Sequence, residues 1–158
     1  METYFIYDTA LGKIAVAQHE GKITHLEPVK NFDKAGKILR ETPLTKKAAA
    51  QLGEYLAGKR KTFDLPLAPK GTPFQQAVWR ALLDIPYGKT CAYGDIARAV
   101  NNPKAVRAVG GANNKNPIFI IVPCHRVIGK DGSLTGYGGG MDMKKRLLAL
   151  EKQFCGNK

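Results

Sequence analysis

The chain has 158 residues, enough for one medium domain or two small ones with a hydrophobic core. Hydrophobic residues make up 44% and charged residues 24%, which excludes a disordered chain, and no apolar run reaches the roughly 20 residues that a membrane-spanning helix needs. The formal net charge of +12 favours a polyanionic partner such as nucleic acid or an anionic membrane surface, although a merely basic soluble protein would give the same count.

Three short segments at the start of the chain have the composition of β-strands. Residues 3–8, 13–18 and 22–27 are rich in Tyr, Phe, Ile and Val, and Gly-containing turns separate them. Apolar residues at helical spacing then predict a helix from Thr45 to about Ala57. We expect a small α+β unit without evident chemistry.

A segment rich in Pro and Gly divides the chain. Residues 65–73 read LPLAPKGTP, which breaks both helix and strand. We therefore predict an N-terminal domain over residues 1–68 and a C-terminal domain over residues 69–158. Charge follows a similar division, with a net of +4 over residues 1–70 and +8 over residues 71–158.

The second part is predicted to be mostly helical. Thr72 is the expected N-cap of a helix that ends before Pro86, with Pro at the next position and a capping-box Gln at the third. A short helix over about 93–100 is followed by another that Asn102 caps, and this pair predicts a helix-turn-helix. Asp142 opens the last helix.

The predicted helix-turn-helix carries the charge excess and a surface of small side chains. Residues 85–130 contain seven basic side chains and one acidic one, which favours nucleic acid over a membrane. Residues 105–112 read AVRAVGGA, with Arg107 as the only charged residue. Such a surface allows close approach in a narrow DNA groove, and tight packing against another helix would require the same small residues.

A cysteine beside a histidine is the candidate chemical centre. The apolar run 118–122 is predicted to be a short buried strand that ends at Cys124 and His125. The pair points to nucleophilic catalysis, because the thiolate is the reactive form of cysteine and a nearby base promotes it. Neighbouring side chains in an extended chain point apart, so the pair requires a turn or a bridging water.

The predicted fold class is α+β in two small domains: an N-terminal three-stranded sheet with a helix, and a C-terminal helical domain with a helix-turn-helix and a short active-site strand.

Several motifs of the second half share one order and spacing. They are Tyr93, NPKAVRAVGGA over 102–112, Asn116-Pro117, IVPCHRV over 121–127, and Gly136-Tyr137. Over about residues 72–153 the chain resembles the O6-alkylguanine-DNA alkyltransferases, also called methylated-DNA–protein-cysteine methyltransferases. The first domain agrees with that family only in size and character.

The resemblance implies a role for each catalytic residue. Cys124 would accept the alkyl group from guanine O6, and His125 would take the thiol proton through a bound water. Glu151 would orient this histidine and stabilise its charged form. Asn116 would tie the helix-turn-helix to the active-site strand, and Tyr93 would donate a hydrogen bond to the base and help to turn the nucleotide out of the duplex.

The resemblance also implies the walls of a base pocket. Lys144 would join the polar network around the leaving guanine, and Tyr137 would form an aromatic wall. The backbone N–H of Gly138 would face guanine O6, at a position where some family members have Ser. The backbone carbonyls of Cys124 and Val127 would contact the exocyclic amine of the base.

DNA contacts are implied for the second helix of the pair. Arg107 would fill the gap that the extruded base leaves, and we expect Lys104 to contact a phosphate. Ala105, Ala108 and Gly110 belong to the small-residue surface that would lie in the minor groove.

The function implied is irreversible, one-time transfer of an alkyl group from O6-alkylguanine in duplex DNA to Cys124, with O4-alkylthymine as a second candidate substrate. No cofactor and no metal are expected, and the protein would be a monomer without DNA. Three cysteines without CxxC spacing, and an N-terminus unlike a signal peptide, predict a cytoplasmic location.

One alternative function is that of a non-catalytic alkyl-lesion-binding protein, although such proteins replace the cysteine present here. Another is a different thiol enzyme, which would use Asn or Asp in place of Glu151.

Overall fold

The computed structural model describes residues 1–132 and 140–155. The chain forms two compact units, residues 1–70 and residues 71–158. Among the helices of the described residues, none is both long and apolar enough to cross a membrane. The predicted α+β class with two units is confirmed.

The first unit contains a four-stranded sheet in the order β3-β2-β1-β4. Its strands are β1 (Thr3–Thr9), β2 (Gly12–His19), β3 (Lys22–Pro28) and β4 (Ile38–Leu39). The first three are antiparallel neighbours and confirm the predicted strands, whereas β4 lies parallel to the outer edge of β1. The prediction of three strands missed β4, because a two-residue strand is too short to show an alternating pattern.

Helix α1 (Pro43–Leu56) completes the first unit. It begins earlier than predicted, because Thr42 is the N-cap and Thr45 is the third helical residue of a reciprocal capping box. Its buried side, which includes Leu52 and Tyr55, packs against the sheet.

The second unit contains most of the helices. They are α2 (Pro73–Leu82), α3 (Tyr93–Ala99), α4 (Val106–Asn114) and α5 (Met141–Cys155), with a two-stranded parallel pair of β5 (Cys91–Ala92) and β6 (Val127–Ile128). The capping box of Thr72 and Gln75 at the start of α2 is confirmed. Trp79 on α2 donates from its indole nitrogen to the carbonyl oxygen of Ala112 on α4, over 2.9 Å.

Helix α4 begins at Val106, so the prediction that Asn102 caps it was wrong. Asn101 adopts a left-handed conformation with φ of 61°, and the N–H of Asn102 donates to the carbonyl of Ala97. This is the arrangement of a Schellman motif, in which the two asparagines end α3. Asn102 is therefore used at the end of one helix and is not the cap of the next.

The prediction of a strand over residues 118–122 was also wrong. The segment is buried, but it forms turns, with Ile120 at a φ of 71° and the N–H of Val122 bonded to the carbonyl of Ile118. A continuous apolar run reports burial and does not distinguish a strand from a buried turn. The short strand of this region is β6, which follows Cys124 instead of preceding it.

Candidate active site and nucleic-acid interface

Cys124 is a buried thiol at the start of a single 3-10 turn, Cys124–Arg126. Its exposed fraction is 3%, its N–H donates to the carbonyl of Val122, and its carbonyl accepts from Nδ2 of Asn113 over 3.2 Å. The backbone of the cysteine is thus held on both sides. Cys91 is half-buried and Cys155 is exposed, and none of the three forms a disulfide bond.

His125 and Glu151 form a buried pair beside the cysteine. His125 follows Cys124 within the 3-10 turn, so the pair does not lie in extended backbone. His125 is fully buried, and its Nε2 lies 2.7 Å from Oε2 of Glu151. Glu151 reaches this position because Lys144, Leu147 and Glu151 form the buried stripe of α5, at helical spacing.

The environment of His125 determines which ring nitrogen is basic. Burial lowers the pKa of His125, an effect that the hydrogen bond and the charge of Glu151 oppose and that the charges of Arg126 and Lys144 reinforce. The ring is therefore neutral at neutral pH, and the Glu151 carboxylate can only accept, which assigns the ring proton to Nε2. Nδ1 then holds the lone pair, and this buried atom has no hydrogen-bond partner among the described residues.

Arg126 completes this network, and sequence reasoning missed it. Its Nε and Nη2 donate to the two oxygens of Glu151 over 2.8 and 2.9 Å, and its Nη1 donates to the carbonyl of Ile85 over 2.7 Å. The N–H of Gly88, whose φ is 77°, donates to the same carboxylate. Arg126 counted toward the basic surface in the sequence, whereas it is a buried partner of Glu151. Its place directly after the Cys-His pair was the available signal.

Two asparagines connect the end of α4 to the cysteine segment. Asn116 donates from Nδ2 to the carbonyl of Val122 over 2.8 Å and accepts at Oδ1 from the N–H of Ile118 over 3.0 Å. Asn113, which the sequence prediction did not include among the site residues, bonds to the carbonyl of Cys124. A displacement of α4 would therefore also displace the backbone of Cys124.

Lys144, Tyr93 and Val127 lie together in the second unit. The ammonium of Lys144 is buried, donates to the carbonyl of Val127 over 2.7 Å and lies 6.0 Å from the ring centroid of Tyr93. Burial lowers the pKa of Lys144, while the charge of Cys124 raises it. The cation thus lies within electrostatic range of the thiol. Tyr137 and Gly138 lie outside the described residues.

The exposed side of α4 and the two residues that precede this helix carry the predicted DNA contacts. Lys104, Arg107 and Ala108 are exposed, and Ala105 and Gly110 are half-exposed. Among the described residues, no carboxylate forms an ion pair with Lys104 or Arg107. This surface combines available positive charge with small side chains.

The glycine pair of α4 shows that internal packing does not require every small residue. A Cβ at Gly110 would come no nearer than 4.0 Å to the ring of Tyr93, and a Cβ at Gly111 would meet no atom of the described residues within 4 Å. Glycine inside a helix costs about 1 kcal/mol relative to alanine. Packing within this unit therefore does not explain why α4 carries two glycines.

Comparisons with known proteins match this chain along its length. Residues 73–153 match the model of the 6-O-methylguanine DNA methyltransferase DNA-binding domain, and residues 3–69 match the ribonuclease-like domain of the same proteins. The constitutive methylated-DNA–protein-cysteine methyltransferase of Bacillus subtilis is 49% identical over 96% of each chain. The Methanosarcina acetivorans enzyme of that name is 50% identical over 94% of this chain and 97% of its own. The crystal structure of Mycobacterium tuberculosis OGT in complex with DNA has a TM-score of 0.91 and 46% identity, covering 96% of this chain and 94% of that one. The chain belongs to the 6-O-methylguanine DNA methyltransferase family, the methylated-DNA–protein-cysteine methyltransferases.

Proposed function

We propose that this protein repairs O6-alkylguanine in duplex DNA by moving the alkyl group to Cys124, once per molecule. The observation that carries this proposal is the buried series of Glu151, His125 and Cys124, in which the histidine is neutral and its Nδ1 lone pair has no partner among the described side chains. It is a base in the ionisation state needed to accept a proton from a thiol.

The proposed reaction is a single displacement. His125 takes the thiol proton through a water molecule, and the Cys124 sulfur attacks the alkyl carbon. A bond from Sγ to carbon forms as the bond from carbon to O6 breaks, and its electron pair stays on guanine, which is then protonated. Donors near the base stabilise this charge, a role we assign to Tyr93 and Lys144 and, outside the described residues, to the N–H of Gly138. Tyr137, also outside the described residues, is assigned to the aromatic wall of the pocket. The thioether product has no easy exit, and no step needs a cofactor.

DNA binding is assigned to α3 and α4, acting as a helix-turn-helix in the minor groove. The exposed small side chains at Ala105, Ala108 and Gly110 allow the helix to come close to the backbone of DNA. The alkyl carbon of a stacked base cannot reach a thiol that is 3% exposed, so the nucleotide must leave the duplex. Arg107 fills the resulting gap, and Lys104 contacts a phosphate.

The setting of this activity is also a proposal. A reactive thiol with no disulfide partner suits a reducing compartment, so we place the protein in the cytoplasm. It acts as a monomer before it meets DNA, and O4-alkylthymine is a second substrate to test. Cys124 is the residue that a non-catalytic lesion-binding protein would lack, and its presence argues against that alternative.

A mass measurement tests the proposal. The protein is mixed with excess duplex containing one O6-methylguanine, and intact mass is followed over time. We expect a gain of one methyl group and no more, and no gain in Cys124→Ser. Continued turnover would contradict the proposal, and so would tight binding of the lesion without any mass gain.

A further inference from the structure

The side-chain amide of Asn113 has one atom in a hydrogen bond and one without a partner among the described residues. It is 1% exposed on the buried side of α4, and its Nδ2 donates to the carbonyl of Cys124. Its Oδ1 is buried and has no hydrogen-bond partner among the described residues. Buried acceptors in folded proteins are normally paired, so an acceptor that no protein donor of the described residues reaches is open to a donor from a ligand.

The neighbouring Asn116 shows the contrast. Both of its amide atoms bond to the backbone, at Val122 and Ile118, as expected of an asparagine with a purely structural role. The amide nitrogen of Asn113, which shares its carbon with the unpartnered oxygen, contacts the carbonyl of Cys124, the residue whose thiol an alkylated base must reach.

The chemistry of the lesion restricts what this oxygen could accept. Alkylation at O6 leaves guanine N1 without a proton, so the exocyclic 2-amino group supplies the only N–H donors of the base. The carbonyls of Cys124 and Val127 each already accept a hydrogen bond within the protein, from Asn113 and Lys144. A further acceptor beside them would give the amine a partner that is not shared.

We propose that Asn113 is a specificity-determining residue whose Oδ1 accepts a hydrogen bond from the 2-amino group of the extruded O6-alkylguanine. This inference rests on the proposed function. A site built to bond a polar group discriminates against a substrate that lacks it, because the acceptor is then left buried and unpaired. Asn113 would therefore help to select a damaged guanine over alkylated bases that have no amine.

The test compares two duplex substrates, one with O6-methylguanine and one with O6-methylhypoxanthine, which lacks only the amine. The measured quantity is the ratio of their single-turnover rates of methyl transfer. We expect the wild-type protein to favour O6-methylguanine, and Asn113→Leu to reduce that ratio by about three- to tenfold, the value of one hydrogen bond. Asn113→Asp keeps an acceptor but loses the Nδ2 donor and adds a negative charge close to Cys124, so both rates should fall while the ratio remains. Asn114→Leu, at an exposed position next to it, is the matched control and should leave the ratio unchanged.

Each outcome decides the point. Equal loss of both rates in Asn113→Leu would overturn the proposal, because it would leave Asn113 only the task of holding the Cys124 backbone. A wild-type protein without preference for the amine would also overturn it. Asn113→Ala is a second variant without the acceptor if the leucine variant does not fold. Failure of the wild-type protein to transfer methyl from either duplex would instead contradict the proposed function.

Discussion

Replacing Arg126 by Met should destabilise the protein far more than an ordinary loss of an ion pair. The substitution removes two hydrogen bonds to Glu151 and one to the carbonyl of Ile85, and the carboxylate that remains is only 1% exposed. Removal of one partner from a buried pair typically costs about 3–5 kcal/mol, because the other charge stays buried without compensation. We expect the free energy of unfolding to fall by that amount.

Urea unfolding followed by fluorescence measures this change, because Trp79 is the only tryptophan and lies buried in the same unit. Arg98→Met is the matched control, since Arg98 pairs with Asp95 at the surface, where such pairs contribute about 0–1 kcal/mol. Adding Glu151→Gln to Arg126→Met removes the buried charge and should recover part of the loss. If Arg126→Met costs no more than Arg98→Met, the reasoning on the buried network is refuted.

Further predictions concern pH and DNA. The unfolded chain binds a proton at His125 near pH 6.5, whereas burial lowers the pKa of this histidine in the folded protein, so the free energy of unfolding should hold above pH 6.5 and decrease below it. The transfer rate should fall only at the lower pH at which His125 of the folded protein becomes protonated, and a rate that rises toward pH 5 would contradict this. Arg107→Ala should impair base extrusion, measured with a fluorescent base analogue, more than it weakens affinity for the duplex. Lys104→Ala should lower the slope of log affinity against log salt concentration by about 1, and an unchanged slope would remove Lys104 from the interface. Gly111→Ala should stabilise the protein by about 0.5–1 kcal/mol yet weaken DNA binding. Gly53→Ala, a control at another helical glycine whose Cβ would meet no described atom within 4 Å, should stabilise the protein without changing its affinity for DNA. Equal DNA affinity in the two variants would contradict a close approach of DNA to α4.

Local signals in the sequence predicted local structure well. Thr72 and Gln75 are three residues apart, and their capping box formed as expected, because both partners belong to one helical turn. The strand prediction at residues 118–122 was wrong because apolar content specifies burial but not backbone conformation. Asn102 was assigned to the wrong helix because an asparagine at a helix break can serve the helix on either side.

The site was harder to predict, because its contacts join distant parts of the chain. Resemblance to a known family named Cys124, His125 and Glu151, and the structure brings the last two within hydrogen-bonding distance. The bonds of Arg126 to Glu151 span 25 residues, and no periodic pattern in the sequence links these positions. The half-satisfied amide of Asn113 is visible only after the fold has buried it.

In the proposed reaction Cys124, and no other thiol of this chain, receives the alkyl group. The most direct test uses a duplex whose O6-methylguanine carries a deuterated methyl group, followed by peptide mapping of all three cysteines. We predict that the label reaches Cys124 alone, up to one group per molecule, while Cys91 and Cys155 stay unmodified. Label on either of those cysteines would contradict this assignment. Full labelling of Cys124 by a methylated base that is not part of a DNA duplex would contradict the proposed function.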